Sequence, residues 1–133
     1  MILVIGGAGS GKGAFVREVL GVPERDIARG ALDGRPCVAD AHELLRPGTD
    51  VPGAAQGWEA LVGPLGAKAV ITCDEVGCDL IPLDAGLAGW RESVGRLCCA
   101  LAARATCVVR MTCGIPQAIK GELPRRAAGA GRP

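Results

Sequence analysis

Short apolar runs alternate along the chain with segments in which apolar residues recur at helical spacing. The runs at residues 2–5, 69–73 and 107–113 are rich in β-branched residues and predict strands. The run at 69–73 is uninterrupted and ends at Asp74 and Glu75, a pattern typical of a strand buried on both faces of a parallel sheet. The two acidic residues are therefore expected at the carboxyl end of a central strand.

Helical periodicity is clearest from residue 84 to residue 105, where apolar positions recur every three or four residues. Segments 13–20 and 58–65 predict two shorter helices. Residues 37–39 predict a short strand, and a turn of helix is expected after it near residues 42–45. Strands and helices thus alternate along most of the chain.

This alternation, without any internal repeat, favours a parallel sheet with right-handed crossovers. Gly114 and Pro116 are expected to end the last strand. We therefore expect an α/β fold with a small, mostly parallel sheet. Residues 1–122 are expected to form one domain, and residues 123–133, rich in Gly, Ala, Arg and Pro, a flexible tail.

Composition excludes several classes of protein. The chain has 133 residues, 49% of them hydrophobic and 22% charged, so that one packed domain is expected and disorder is excluded for most of it. A net charge of +1 and 2% aromatic residues argue against nucleic-acid partners. The apolar run at 97–103 is far shorter than the roughly 20 residues that span a bilayer, and the amino terminus lacks the basic flank of a signal peptide. A cytoplasmic protein without membrane association is expected, and a homo-oligomer formed through an apolar helix face is left open.

The seven cysteines do not follow a disulfide or zinc pattern. Their number is odd, and no two of them form a C-x-x-C pair. Most lie among Val, Leu and Ile, where free thiols act as small hydrophobic side chains in a reducing compartment. Buried free thiols are therefore expected.

A glycine-rich segment between the first predicted strand and the first predicted helix matches the nucleotide-binding pattern G-x-x-x-x-G-K. In this pattern the glycines turn backbone N–H groups toward phosphate oxygens, the helix N-terminus favours negative charge, and the lysine reaches the β- and γ-phosphates. The pattern predicts binding of a nucleoside triphosphate, with Lys12 as the catalytic cation, and the α/β fold is then expected to be a P-loop NTPase-like three-layer sandwich. A glycine-rich turn with a surface lysine is the alternative. The predicted phosphate-binding residues are Gly6, Gly7, Ala8, Gly9, Ser10, Gly11, Lys12 and Gly13.

The residue after the lysine is Gly13, where this pattern normally has a Ser or Thr hydroxyl that binds Mg²⁺. Three explanations are open: the metal is held through water and by other groups, Ser10 takes part of the role, or the loop binds nucleotide without efficient chemistry. Asp74 and Glu75 are the predicted Mg²⁺ ligands, because ligands bind beyond the carboxyl ends of parallel strands. Glu75 is also a predicted catalytic residue that orients the substrate hydroxyl.

Other basic residues and the one histidine are weaker candidates. His42 is the only imidazole available to attack an α-phosphate and carry a nucleotidyl group, although a half-exposed helix residue is the plainer interpretation. Arg91, Arg96 and Lys120 are candidate contacts to substrate or phosphate. For Arg91 and Arg96, a solvated face of an amphipathic helix is the alternative.

Three blocks of the sequence together resemble the adenosylcobinamide kinase / adenosylcobinamide-phosphate guanylyltransferase family of cobalamin biosynthesis. The first is the glycine-rich segment with its preceding strand, and the second, at residues 74–82, resembles the family signature Asn-Glu-Val-Gly-x-Gly-Ile-Val-Pro. The third extends from Trp90 to Lys120. The chain has Gly13 where the family has Ser and Asp74 where it has Asn.

The resemblance implies a two-step transferase that acts on adenosylcobinamide, with residues 1–122 as a single P-loop nucleotide-binding kinase domain. In the first step the aminopropanol hydroxyl attacks the γ-phosphate of GTP or ATP, and in the second a guanylyl group passes through a histidine to the new phosphate. His42, a few residues before Arg46 and Pro47, is the counterpart that the resemblance suggests. Two alternatives stay open: a P-loop kinase for another small molecule, and a degenerate nucleotide-binding module without catalysis.

Overall fold

A computed structural model describes residues 1–51, 53–76 and 84–126. Its strands are β1 (Ile2–Gly6), β2 (Ile27–Arg29), β3 (Cys37–Ala39), β4 (Val70–Asp74), β5 (Cys107–Thr112) and β6 (Ile115–Lys120). They form one sheet, and the order across the sheet is β2-β3-β4-β1-β5-β6. All neighbouring strands are parallel except β5 and β6, which are antiparallel.

Three helical segments connect the strands. The first begins as α1 (Lys12–Ala14) and continues as a π-helical segment (Phe15–Val19). The other two are α2 (Glu59–Gly66) and α3 (Ala85–Arg104), and Asp84 caps α3 by accepting the Leu87 N–H. Short 3-10 turns lie at Glu24–Asp26, Ala41–Leu45 and Ala54–Gln56.

The core lies on both faces of the sheet because successive residues of a strand point to opposite sides. Leu3 packs with the cluster formed by α2 and α3, which includes Leu61 and Leu101. Its neighbour Val4 packs with the opposite cluster, which includes Phe15. Burial of each such side chain contributes about 1.5–3 kcal/mol. The predicted α/β fold with a mostly parallel sheet is confirmed, and helices on both faces are compatible with a three-layer sandwich.

Two strands were not predicted. β2 is only three residues long and follows a charged turn, so it carries no readable period. β6 follows directly after Cys113 and Gly114, which both have positive φ angles, 51° and 77°, as in the tight turn of a two-residue hairpin. Pro116 is accommodated because β6 is an edge strand, where a missing N–H is tolerated. Gly114 and Pro116 therefore mark a reversal of the chain, where the sequence predicted only the end of a strand.

Parts of two sequence-based expectations lie outside the described residues. Residues 77–83 hold most of the block that resembles the family signature, from Gly77 to Pro82, and residues 127–133 hold most of the expected flexible tail. In the described ranges, no helix has the length and apolar character needed to cross a bilayer.

Candidate functional site

A cavity of about 680 Å³ opens at the carboxyl ends of β1, β3 and β4. One wall is the glycine-rich loop after β1, and the other is the segment after β3 together with the end of β4. The residues around it are Ala8, Gly9, Ser10, Gly11, Lys12, Gly13, Arg29, Ala39, Asp40, His42, Glu43, Thr72 and Asp74.

The glycine-rich loop depends on glycine at particular positions. Gly9 and Gly11 have φ angles of 72° and 98°, a region that residues with a Cβ rarely adopt. At Gly6 a Cβ would lie 2.5 Å from Ser10 Oγ and 2.6 Å from the Met111 carbonyl oxygen. The loop therefore passes so close to β5 that only glycine fits at its base.

Lys12 lies at the floor of the cavity and is 6% exposed. Its Nζ donates to the carbonyl oxygens of Gly6 and Gly7 at 3.1 and 2.7 Å, and it forms an ion pair with Asp74 Oδ1 at 2.7 Å. The charge is thus held inside the loop by three oxygen partners. The structure brings together two residues that the sequence predicted in one site, Lys12 and Asp74.

His42 is buried at the wall of the cavity, with 5% exposure, rather than half-exposed on a helix. Its Nδ1 accepts the Asp74 N–H at 3.0 Å, so the neutral imidazole carries its proton on Nε2. That Nε2 lies 3.4 Å from both Asp74 Oδ2 and Glu43 Oε1. The side chain therefore directs an N–H toward two carboxylates.

A tryptophan of α3 holds the 3-10 turn that contains His42. Trp90 Nε1 donates to the His42 carbonyl oxygen at 2.8 Å. The Arg46 guanidinium lies 4.3 Å from the centre of the Trp90 ring, a cation–π contact. Arg46 also donates two hydrogen bonds to Glu43, and these hold the pKa of that carboxyl below its usual range. Glu43 is thus kept ionised beside His42.

Asp40, His42 and Asp74 offer one ligand atom each within 4.8 Å of one another, as a metal site requires. Asp40 has a φ of 58°, an uncommon conformation for a residue with a side chain, and its N–H is donated to Thr72 Oγ1. Asp40 and Arg29, which line the same cavity, were not predicted as site residues. Their only sequence signal is their position at a strand end: Asp40 follows β3, and Arg29 is the last residue of β2, a strand that was not predicted.

The side chain of Glu75 has different partners from the side chain of Asp74. Its carboxylate binds the Arg110 side chain of β5 at 3.0 and 3.1 Å, and its N–H donates to the Gly6 carbonyl oxygen. Within the described part of the chain, the cavity lining includes Asp74 but not Glu75. The two predicted metal ligands thus face different partners, because successive residues at a strand end point to opposite sides.

The three basic residues proposed as phosphate contacts are absent from the described lining of the cavity. Arg91 is half-buried on α3, and Arg96 forms an exposed ion pair with Glu92 at 2.9 Å. Lys120 donates to the carbonyl oxygens of Ala102 and Ala103 at the end of α3, where cations stabilise a helix. The structure does not bring these residues together with Lys12.

The surroundings of Gly13 show which groups could replace the Ser or Thr hydroxyl that is usual at this position. Ser10 Oγ is buried and has no hydrogen-bond partner among the described residues. It points toward the base of the loop at Gly6. The space beside Gly13 is occupied by Arg17, whose Nη1 would lie 3.1 Å from a Cβ at that position. The cavity offers the carboxylates of Asp40, Glu43 and Asp74, and of these Asp40 and Asp74 lie close enough together to share a metal ion.

A scan of the sequence against models of protein families finds no match, and a search of curated proteins finds no significant match. Inferences about function therefore depend on the geometry of the cavity and on the motifs of the sequence.

Proposed function

We propose that the protein is a phosphotransferase that uses GTP or ATP, with the aminopropanol hydroxyl of adenosylcobinamide as the acceptor. The observation that carries the proposal is the position of Lys12: its ammonium group lies at the floor of the cavity, inside a loop whose glycines match a phosphate-binding pattern. The acceptor is inferred from the resemblance of the sequence blocks to the family of cobalamin biosynthesis.

Lys12 is poised to exchange partners when nucleotide binds. In the structure its Nζ is paired with two carbonyl oxygens and Asp74. A γ-phosphate in the cavity would provide stronger, charged acceptors for the same N–H groups. Lys12 then stabilises negative charge on the transferring phosphoryl group, since phosphoryl transfer depends mainly on positioning and charge neutralisation.

The lining of the cavity favours a nucleotide that arrives with Mg²⁺. Lys12 and Arg29 are its cations, and Asp40, Glu43 and Asp74 are its carboxylates. A triphosphate alone would meet repulsion from these carboxylates, whereas Mg²⁺ would be held by oxygen ligands of Asp40 and Asp74. When bound, the metal would supply charge neutralisation between the β- and γ-phosphates. With Gly13 in the loop, these carboxylates are assigned the role of the usual hydroxyl.

The acceptor hydroxyl attacks the γ-phosphorus as the bond to the β–γ bridging oxygen breaks. The nucleoside diphosphate leaves, and the hydroxyl proton passes to water or to a carboxylate of the cavity. Glu43 lines the same cavity and is not assigned to the metal, so it is the carboxylate that remains to orient this hydroxyl.

A guanylyltransferase step is the second candidate function, and the burial of His42 in the cavity wall favours it. The Nε2 proton would first pass to Asp74 or Glu43, which frees the lone pair of that nitrogen; Nε2 would then attack the α-phosphate of GTP, and pyrophosphate would leave. Both carboxylates lie 3.4 Å from that atom. The guanylyl group would then be transferred to the phosphate formed in the first step.

The test is to incubate the protein with Mg²⁺, adenosylcobinamide and GTP labelled at the α- or the γ-phosphate. Transfer of the γ-label to the corrinoid supports the kinase, and α-label on the protein that is lost in His42→Ala supports the second step. Transfer of γ-label to a different hydroxyl compound only would indicate another small-molecule kinase. Binding of GTP without any transfer would indicate a degenerate binding module, a function that Gly13 would favour.

A further inference from the structure

Two cysteine side chains meet directly behind the floor of the cavity. Cys73 precedes Asp74 on β4 and is fully buried, and Cys98 lies on α3 with intermediate exposure. Their sulfur atoms are 3.4 Å apart, although the residues are 25 positions apart in the chain. The packing of α3 on the sheet therefore creates a pair of thiols that the sequence pattern did not indicate.

The two thiols form a short hydrogen-bond relay that ends at the cavity. Cys98 donates to Cys73 Sγ, and Cys73 donates to the Asp74 carbonyl oxygen at 3.5 Å. The Asp74 N–H is donated to His42 Nδ1. The backbone of Asp74 is thus contacted by a thiol on one side and by the histidine on the other.

We propose that Cys73 and Cys98 are oxidised by peroxide to a disulfide, and that this modification shifts Asp74 and His42 at the cavity floor. The proposal concerns a modification site and does not depend on the identity of the nucleotide or acceptor. The other described cysteines differ in their surroundings: Cys99 and Cys113 are exposed, Cys37 is buried in the core cluster that contains Val4, and Cys107 donates to the Glu122 carbonyl oxygen.

Hydrogen peroxide is small enough to reach a thiol of intermediate exposure. The sulfur of Cys98 attacks one peroxide oxygen, the O–O bond breaks, and water leaves as the thiol proton is transferred; the product is a sulfenic acid. The sulfur of Cys73 then attacks the sulfenic sulfur, its own proton passes to the departing hydroxyl, and a second water leaves. In balance, two thiols and one peroxide give one disulfide and two waters.

The disulfide has two structural consequences. The distance between the sulfurs must shorten from 3.4 Å to about 2.05 Å, which draws β4 and α3 together at this point. Both S–H hydrogens are lost, so the Asp74 carbonyl oxygen loses the Cys73 hydrogen bond. Because Asp74 contacts Lys12 and His42, the change reaches the side chains of the cavity.

The first test treats the fully reduced, folded protein with equimolar hydrogen peroxide, followed by alkylation, digestion and mass spectrometry. We expect a peptide pair joined through Cys73 and Cys98, with a mass lower by two hydrogens and a loss of two free thiols per chain. Cys98→Ser should abolish this product, and Cys99→Ser, which changes the exposed neighbour on α3, should leave it unchanged. In the wild type, a disulfide between other cysteines, or no disulfide at all, would overturn the proposal. This result does not depend on whether the variants fold.

The second test follows the imidazole of His42 by NMR before and after oxidation. The chain has one histidine, so its ring signals need no further assignment. We expect the ring nitrogen and carbon shifts to change on oxidation of the wild type and of Cys99→Ser, and to stay constant in Cys98→Ser under the same treatment. A disulfide that forms without any change in the His42 signals would overturn the coupling to the cavity.

Discussion

The ammonium group of Lys12 lies 2.7 Å from Asp74 Oδ1, and this contact joins the loop after β1 to the end of β4. The register of the sheet produces it, because Gly6, the last residue of β1, pairs with Asp74. Lys12 follows one short loop later and reaches back to the carbonyl oxygens of Gly6 and Gly7. The positive charge at the cavity floor is therefore fixed by strand pairing as well as by the loop.

Replacement of Asp74 by Asn should destabilise the fold. The substitution leaves the buried Lys12 ammonium with its two carbonyl partners but removes its counter-charge, so the free energy of unfolding should fall by about 2 kcal/mol. Glu92→Gln is the matched control, because it breaks an exposed ion pair with Arg96 and should cost less than about 0.5 kcal/mol. Denaturant unfolding measures both; equal losses would contradict the assigned role of the pair.

Gly6 and Gly7 should differ in their tolerance of alanine. A Cβ at Gly6 would lie 2.6 Å from the Met111 carbonyl oxygen, and Gly6→Ala should therefore lower the free energy of unfolding by about 3 kcal/mol. At Gly7 a Cβ would meet no atom within 4 Å, and Gly7→Ala should change stability by less than about 0.5 kcal/mol. Thermal unfolding of the two variants checks the packing of the loop against β5; the reverse order of stability would refute it.

Long elements of the fold were predictable because their patterns are strong. The period of α3 and the uninterrupted run of β4 are each confirmed within one or two residues. β2 has three residues, too few for a period. β6 was hidden because Cys113 occupies a left-handed turn position that usually signals itself by Asn or Gly, and because Pro116 was interpreted as a strand end.

The candidate site also has residues that the sequence predicts and residues that only the fold brings together. Lys12 and the glycine loop are contiguous in the chain, so a motif predicts them. Asp40 and the burial of His42 depend on the packing of the turn after β3 against β4 and on the Trp90 hydrogen bond from α3. These two contacts join residues 32 and 48 positions apart, and no motif marks either of them, so the fold alone supplies them.

His42 should have separable structural and chemical roles. In His42→Asn the amide oxygen can replace Nδ1 as the acceptor of the Asp74 N–H, but nothing replaces Nε2. We expect stability close to that of the wild type and loss of α-label transfer from GTP.

His42→Leu removes both functions and serves as the comparison. It leaves the Asp74 N–H without its acceptor, so unfolding should become easier by about 1–3 kcal/mol. Label transfer and thermal unfolding are measured on both variants. Retention of α-label in His42→Asn would exclude the histidine as the nucleophile.

Stability should depend on pH in the alkaline range through Cys37. Burial raises the pKa of this thiol to about 11 from a usual value of 9.0. The unfolded chain therefore releases the proton at lower pH than the folded protein, so this contribution to stability is present below pH 9 and is lost as the pH rises toward 11.

Between pH 9 and pH 11, one such group lowers the free energy of unfolding by on the order of 1 kcal/mol per pH unit. Denaturant unfolding of the wild type and Cys37→Ala at several pH values isolates the effect, since all other groups are common to both proteins. The variant should show the smaller decline; parallel pH profiles would show that the thiol is not desolvated in the fold.

Nucleotide binding at Lys12 is tested most directly by calorimetric titration of GTP, with Mg²⁺ present, into the wild type, Lys12→Ala and Lys68→Ala. Lys68 is a matched control because it precedes β4 at the amino ends of the strands, away from the cavity, and its Nζ donates to the Arg35 carbonyl oxygen. We expect saturable binding to the wild type and Lys68→Ala, and an affinity at least about tenfold lower in Lys12→Ala, a loss of about 1.4 kcal/mol. Equal affinity in Lys12→Ala, or no binding to the wild type, would contradict the assignment of the cavity as a nucleotide site.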